Sequence, residues 1–282
     1  MPVEKTRRSS WFVSLLTLLV ILQTATPAWA WGTLGHRVIA RLAEKHLTPQ
    51  AKAAVAAILE PNESLADASL WADKVRGRMR HTAPWHYIDI PLDEPKYDPK
   101  WSADDTKHGC VVDKINEFRK VVGDKSKSID ERRFALRFLV HCLQDMHQPC
   151  HVGDNRDRGG NDTQVRWFDI GSNMHRVWDT NIIEWNTRSE DIWLTGLGEL
   201  DTAVNQAKWM AGTVEDWATE SLLAAREAYL IPGTDKRLKF GQKLGKEYYE
   251  KHLSVVRQRL CQAGLRLAMV LNERFSCNAS VE

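Results

Sequence analysis

The chain reads as an all-α protein, one mainly helical domain with a minor β element. Apolar residues recur at helical spacing through most of its length, and helix-starting residues stand ahead of those stretches. Only two short pieces, residues 85–90 and 163–168, have extended character. No repeat, low-complexity linker or Pro/Gly-rich boundary divides the chain. Helix is therefore expected to pack on helix around one core.

The first element is a leader. Lys5, Arg7 and Arg8 make a positive start, residues 11–22 are apolar and uncharged, and residues 23–30 end in Ala28-Trp29-Ala30. That is the three-part pattern of a cleaved secretory signal. Twelve apolar residues are too few to span a bilayer comfortably, which argues against an anchor. Arg7-Arg8 is followed by Ser-Ser-Trp, a poor twin-arginine motif. Cleavage after Ala30 sends the protein to the periplasm or the extracellular space and makes Trp31 the first residue of a domain over 31–282.

Within that domain residues 34–45 carry apolar residues at helical spacing. Thr48 caps a second helix, with Pro49 in its first position, running to Leu59. Ser64 opens a third that passes Trp71 and ends near Arg76. A fourth covers 111–122. Residues 130–148 form a strong amphipathic helix stopped before Pro149. Asn173 caps another, reaching about Trp185; 217–229 follow, then a long final helix over 245–274. Gly264 inside that last helix signals close backbone packing.

The 39 Lys and Arg and 37 Asp and Glu fall to 36 of each once Lys5, Arg7, Arg8 and Glu4 leave with the leader. A neutral domain does not hold nucleic acid by a broad basic face, so an anionic substrate needs a local positive site. A monomer is expected, with a core large enough for one domain. Ten of the twelve Trp lie after residue 30 and suit core packing. The five cysteines are Cys110, Cys142, Cys150, Cys261 and Cys277. In an exported chain some should pair, with at least one left over. None stands in a CxxC, which disfavours a thiolate metal site.

The chemistry-bearing pattern is histidine with aspartate. His141 and Asp145 are i,i+4 on a helix, and so are His175 and Asp179. Residues so spaced lie on one helix face and can point at one ion. His151 follows the first pair beyond Pro149, and His86, Asp89 and Asp73 lie upstream. A free amine and carbonyl at Trp31 can chelate a metal, and His36 stands one helical turn on. Zinc favours this donor set, and a carboxylate can bridge two ions. Either pair alone also fits a satisfied polar pair in a core. His147 is off the face of Asp145 and suits packing or support of a ligand. His46, His81, His108 and His252 read as ordinary surface or loop residues.

These residues stand in recognisable motifs: Trp31-Gly-x-x-Gly-His36, SLWAD ending at Asp73, WHYIDIP over 85–91, HCLQDMHQPCH over 141–151, GGN over 159–161 and MHRVWD over 174–179. With them, and with CQAGLRLAMVLN over 261–272, the chain resembles the S1/P1 nucleases along essentially the whole mature length. These are zinc-dependent, single-strand-preferring nucleases and 3′-nucleotidases with a phospholipase C/P1 nuclease type of fold. The resemblance implies three Zn²⁺. Asp73, His86, His141 and Asp145 would hold one; the Trp31 amine and carbonyl, His36 and a bridging Asp145 a second; His151, His175 and Asp179 the third. It also implies that Arg76 stabilises the transition state, and that Tyr87, Asp89 and Asn161 contact the base or nucleotide. Substrates would be single-stranded DNA and RNA and 3′-nucleotides, with no membrane partner after leader removal. The family's disulfide pattern is not clearly preserved. The rival reading is a zinc phospholipase C-type phosphodiesterase. The short Trp31–His36 gap and Asp179, where the lipase type has Glu, argue against it.

Overall fold

The computed structural model describes residues 31–105 and 108–276. Helix α1 (Gly32–His46) carries Lys45 and His46 in its last turn, where they complement the partial negative charge of a helix end. Helix α2 (Pro49–Ile58) opens on Thr48, whose hydroxyl accepts the Ala51 N–H at 3.2 Å. The single helix expected over 64–76 is two: α3 (Leu65–Ala68), fixed by a Ser64–Asp67 capping box, and α4 (Trp71–Arg76). The break has a use, because the Ser69 carbonyl accepts the His141 Nδ1 proton at 2.6 Å. The extended piece expected from residue 85 also starts later. Arg80–His86 is a 3₁₀ helix, and only from Tyr87 does the chain straighten towards β1 (Ile90–Pro91).

Helix α5 (Lys100–Asp105) was not legible from periodicity. Helix α6 (Val111–Gly123) and α7 (Ile129–Asp145) were, and α7 opens on a Ser128–Glu131 capping box. It ends at Asp145, three residues before the expected stop, and a 3₁₀ turn (Pro149–His151) leads into β2 (Gly153–Asp154). Strands β3 (Gln164–Trp167) and β4 (Ile170–Asn173) form a hairpin through Phe168 and Asp169, both at positive φ, as a tight hairpin turn requires. The helix capped by Asn173 is interrupted: α8 (Met174–Arg176), a π turn over Val177–Asn181, then α9 (Ile182–Glu184). Helices α10 (Glu190–Gly198) and α11 (Ala203–Trp209) were missed, since α10 contains two glycines and α11 buries only Trp209. Helix α12 (Val214–Ala228) precedes β5 (Gln242–Leu244) and the 30-residue α13 (Lys246–Phe275).

Helices α6 and α7 pack on each other, and α13 lies along α1. Gly264 makes the second contact possible: a Cβ there would stand 2.8 Å from Leu42 Cδ2 and 3.0 Å from its Cγ. The sheets are small. β1 pairs with β2 in parallel, and β3 lies between antiparallel β4 and parallel β5. The first pairing matters for function, because it fixes the chain after His86 against the chain after His151. The Ile88 N–H donates to the His151 carbonyl at 2.8 Å and the Ile90 N–H to Val152 at 2.9 Å. Trp31, Trp85, Trp167, Trp178, Trp193, Trp209 and Trp217 are buried, in line with a packing role for the tryptophans.

Two expectations are corrected. The four described cysteines, Cys110, Cys142, Cys150 and Cys261, are all free and buried. A disulfide needs two Cα atoms within about 7 Å with their Cβ atoms facing, and no such bond joins these four. Burial pushes these thiols up, Cys261 to about 12, which makes them inert. His252 is not a surface residue. It is fully buried on α13, with its ring 4.2 Å from Tyr248 and 5.3 Å from Trp178. The leader over 1–30 and Cys277 lie outside the described residues. Among the described residues no helix is long and apolar enough to cross a membrane.

Candidate metal centre

Three segments bring their histidines and aspartates to one buried place. Helix α7 delivers His141 and Asp145 from its last two turns. The N-terminus of α1 delivers His36, and α4 with the 3₁₀ helix after it delivers Asp73 and His86. Beyond the α7 end, His151 faces His175 and Asp179, the last carried by the π turn. Such single π turns gather at functional sites because they re-aim a side chain within a helix.

Asp145 stands at the centre. Its Oδ1 lies 3.4 Å from His36 Nε2, while its Oδ2 lies 3.1 Å from His141 Nε2 and 3.0 Å from His86 Nδ1. Asp73 Oδ1 is 3.6 Å from His141 Nε2 and 3.8 Å from His86 Nδ1. In the other cluster His175 Nε2 is 3.2 Å from Asp179 Oδ2, and His151 Nε2 is 4.0 Å from Asp179 Oδ1. The groups His36–His141–Asp145, Asp73–His86–His141 and His151–His175–Asp179 each gather their donor atoms within 4.8 Å. Donors held 2.0–2.1 Å from a tetrahedral zinc stand about 3.3 Å apart, so this spacing fits a metal centre.

The donor chemistry fits as well. Asp73 Oδ2, Asp145 Oδ1, Asp179 Oδ2 and the Nε2 atoms of His86, His151 and His175 are buried without a hydrogen-bond partner among the described residues. Leaving that many polar atoms unsatisfied is costly unless a cation takes them. The opposite ring nitrogens are anchored. His141 donates Nδ1–H to Ser69, His151 to the His86 carbonyl at 2.7 Å and His175 to the Gly159 carbonyl at 2.7 Å. His36 Nδ1 meets Gln144 Oε1 at 2.5 Å. These bonds select the tautomer that turns Nε2 inward, the usual support for a metal-binding histidine.

The electrostatics agree. Burial opposes charge on His141, but Asp145 and Asp73 beside it raise it to about 9. Burial pushes Asp145 up to about 7 against the pull of His141. The two are coupled and titrate as a pair, and a divalent cation held here would displace their shared proton. Burial also raises Asp73, and it lowers His86 and His151, which favours the neutral imidazole that a metal needs. The half-buried Arg76 acts on Asp73, Asp145, His86, His151 and His175 alike, so its charge faces the whole centre.

Trp31 is fully buried in a left-handed conformation. Its indole N–H donates to the Gln144 carbonyl at 2.8 Å, which ties the start of α1 to the end of α7. Gly32 explains the motif glycine after it: at φ 53°, a Cβ would meet the Asp179 carbonyl at 3.1 Å. Tyr87 and Asp89 are half-buried and alternate with buried Ile88 and Ile90, so they share one face of the extended segment. The Asn161 amide donates to the Arg158 carbonyl at 2.9 Å and closes its loop. His147 supports rather than binds, with Nδ1 on the Leu143 carbonyl at 2.7 Å and Nε2 2.9 Å from Arg266.

Two residues escaped the sequence reading. Gln144 holds both His36 and Trp31, and Gln148 donates to Asp179 Oδ1 at 2.6 Å while accepting the Cys150 N–H at 2.5 Å. Both glutamines are fully buried inside HCLQDMHQPCH. An amide at a position where the helical pattern expects an apolar residue was the available sign.

Residues 31–276 match the family model described as S1/P1 Nuclease. The chain belongs to the S1/P1 nuclease family. It is 32% identical over 285 residues to Endonuclease 2 of Arabidopsis thaliana, covering 93% of this chain and 97% of that one. It is 27% identical to Nuclease S1 of Aspergillus oryzae, with 89% and 94% covered, and 28% identical to Nuclease P1 of Penicillium citrinum, with 86% and 97% covered. An S1/P1 nuclease is a hydrolase of metal-dependent type, and the three His/Asp groups are where this one offers metal sites.

Proposed function

We propose that this S1/P1 nuclease is a three-zinc endonuclease. It hydrolyses phosphodiester bonds of single-stranded DNA and RNA to 5′-phosphate products, and it removes phosphate from 3′-nucleotides. The observation that carries the reading is the position of Asp145, one oxygen towards His36 and the other towards His86 and His141. A carboxylate so shared suits two ions held side by side.

Asp73, His86, His141 and Asp145 would hold one zinc, the Trp31 amine and carbonyl with His36 and Asp145 a second, and His151, His175 and Asp179 a third. When bound, the metal supplies a nucleophile at neutral pH and a Lewis acid for the departing oxygen. The protein's own groups do the rest. The anchored Nδ1–H bonds of His141, His151 and His175 keep three rings in place and need no reorganisation during the reaction. Arg76 neutralises charge developing on the non-bridging phosphate oxygens. Tyr87 offers a ring for a base, with Asp89 and Asn161 as polar contacts to the nucleotide. A base must leave its stack to lie on Tyr87, and unpairing a duplex adds a few kcal/mol, which favours single strands.

The leader over 1–30 is removed on export to the periplasm or extracellular space, which frees the Trp31 amine, and the mature domain acts as a monomer. The test counts zinc per processed chain by atomic emission. Alongside, acid-soluble nucleotides released from single-stranded DNA are compared with phosphocholine released from lecithin. Three zincs and nucleotide release support the reading; phosphocholine release alone replaces it with the phospholipase C type.

A further inference from the structure

Between the two proposed ligands Asp73 and His86 the chain carries Lys74, Arg76, Arg78 and Arg80, and not one carboxylate. Arg76 faces the metal centre. The other three are exposed and make no ion pair among the described residues. Several other arginines are paired: Arg37, Arg41, Arg133, Arg137, Arg237 and Arg257 each meet at least one carboxylate within 3.0 Å. The segment is also fixed in place. The Arg78 and Met79 N–H groups both donate to the Val75 carbonyl, at 2.9 and 2.8 Å, continuing the helical turn past the end of α4. Met79 packs against the core, and its carbonyl accepts both the N–H and the hydroxyl of Thr82. A rigid cationic ledge thus hangs between two residues of the metal centre. At a rise of about 1.5 Å per residue, Arg78 stands on the order of 8 Å along the chain path from Asp73. Lys74 and Arg78, four residues apart on this turn, share one exposed face beside Asp73.

We propose that Lys74, Arg78 and Arg80 form a subsite for the sugar-phosphate backbone flanking the scissile bond, through which the enzyme engages a polymer more tightly than a single linkage. The inference rests on the nuclease reading of the metal centre. The ledge reads charge and not bases, so it acts on any sequence, and its contribution falls as salt rises. Each phosphate contact on a single strand adds about 0.7 to the slope of log affinity against log salt. Three contacts therefore add about 2.

The test compares the zinc-loaded wild type with a Lys74→Ala/Arg78→Ala/Arg80→Ala variant, Arg76 left intact. Binding of a labelled, cleavage-resistant phosphorothioate oligothymidylate is followed by fluorescence anisotropy from low to high salt. Hydrolysis of a dinucleoside monophosphate, which has a scissile phosphate and no neighbours, is measured beside it. The variant should bind the oligomer roughly tenfold or more weakly at low salt, with the salt slope reduced by about 2, while dinucleotide hydrolysis and zinc content stay at the wild-type level. A lysine version of Arg78 and Arg80 should keep the oligomer affinity, since charge is what is used. Unchanged affinity and slope, or an equal loss on oligomer and dinucleotide, overturns the subsite. Failure of the nuclease reading is seen separately, as a wild type that binds the oligomer but cleaves neither the dinucleotide nor unmodified single-stranded DNA.

Discussion

Asp145 and Arg76 concentrate the chemistry of this chain in two side chains with different tasks. Asp145 is fully buried and has each oxygen turned to different histidines. Replacing it by Asn keeps the size but removes the charge and gives one oxygen a poor donor in its place. Asp145→Asn is expected to lose more than one equivalent of zinc by atomic emission; loss of one or none, with activity retained, removes the bridging role. Arg76 acts on the same centre through its charge. Arg76→Ala should lower kcat by roughly 10²–10³, the usual consequence of losing one donor to a transition state, with zinc content unchanged. A fall in zinc content would make Arg76 a structural residue.

At the scale of the element, α13 is the long spine on which the metal-bearing segments lean. Its approach to α1 depends on Gly264. Gly264→Ala gains about 1 kcal/mol of helix propensity, but the new methyl meets Leu42 at Cγ and Cβ as well as at its flexible end. Overpacking of that kind costs about 1–3 kcal/mol. A lower urea midpoint with an unchanged m-value is expected, and a higher midpoint would mean that Leu42 swings aside freely. Further towards the N-terminus of α13, His252 lies against Tyr248 and Trp178, and neither ring nitrogen has a hydrogen-bond partner among the described residues. Burial lowers it to about 3. The unfolded chain accepts a proton near pH 6.5 that the folded chain refuses. The stability held above pH 6.5 is therefore lost as the pH falls from there towards 3, by up to about 1.4 kcal/mol per pH unit. His252→Phe keeps a ring of similar size, so its Tm should fall less than that of the wild type between pH 6.5 and 4.5. Parallel Tm curves would show that His252 is not the group responsible.

At the scale of the whole molecule, the fold closes around the start of α1. Trp31 is buried under α7, and Gly32 and Gly35 press against Asp179, Thr180 and Ile183. If the Trp31 amine is a ligand, any residue added before it turns that amine into an amide, a far poorer donor. Protein made with Met-Gly ahead of Trp31 is expected to carry one zinc fewer and to lose most nuclease activity relative to protein cut after Ala30. N-terminal sequencing and metal counting on both forms decide it. Equal zinc and equal activity would leave the side chains as the whole of the site.

The sequence by itself determined the helical class, the main helices and the family. Each of these rests on local spacing: amphipathic periods in 130–148 and 111–122, capping residues such as Thr48 and Ser128, and histidine and aspartate one turn apart. What it misplaced were features set by distant partners. The split at Ser69, the π turn at Asp179 and the 3₁₀ helix before His86 exist because those positions serve His141, the second cluster and the β1–β2 pairing. No local preference encodes them. His252 looked exposed because a lone histidine on a polar stretch carries no mark of the aromatic neighbours that cover it, one on its own helix and one on the π turn. The four described cysteines, some of which were expected to pair, stay free because pairing depends on distances between elements. Gln144 and Gln148 gained their roles in the same way, from residues 108 and 31 positions away. Spacing along a helix fixes which side chains share a face, and only tertiary packing decides which faces meet.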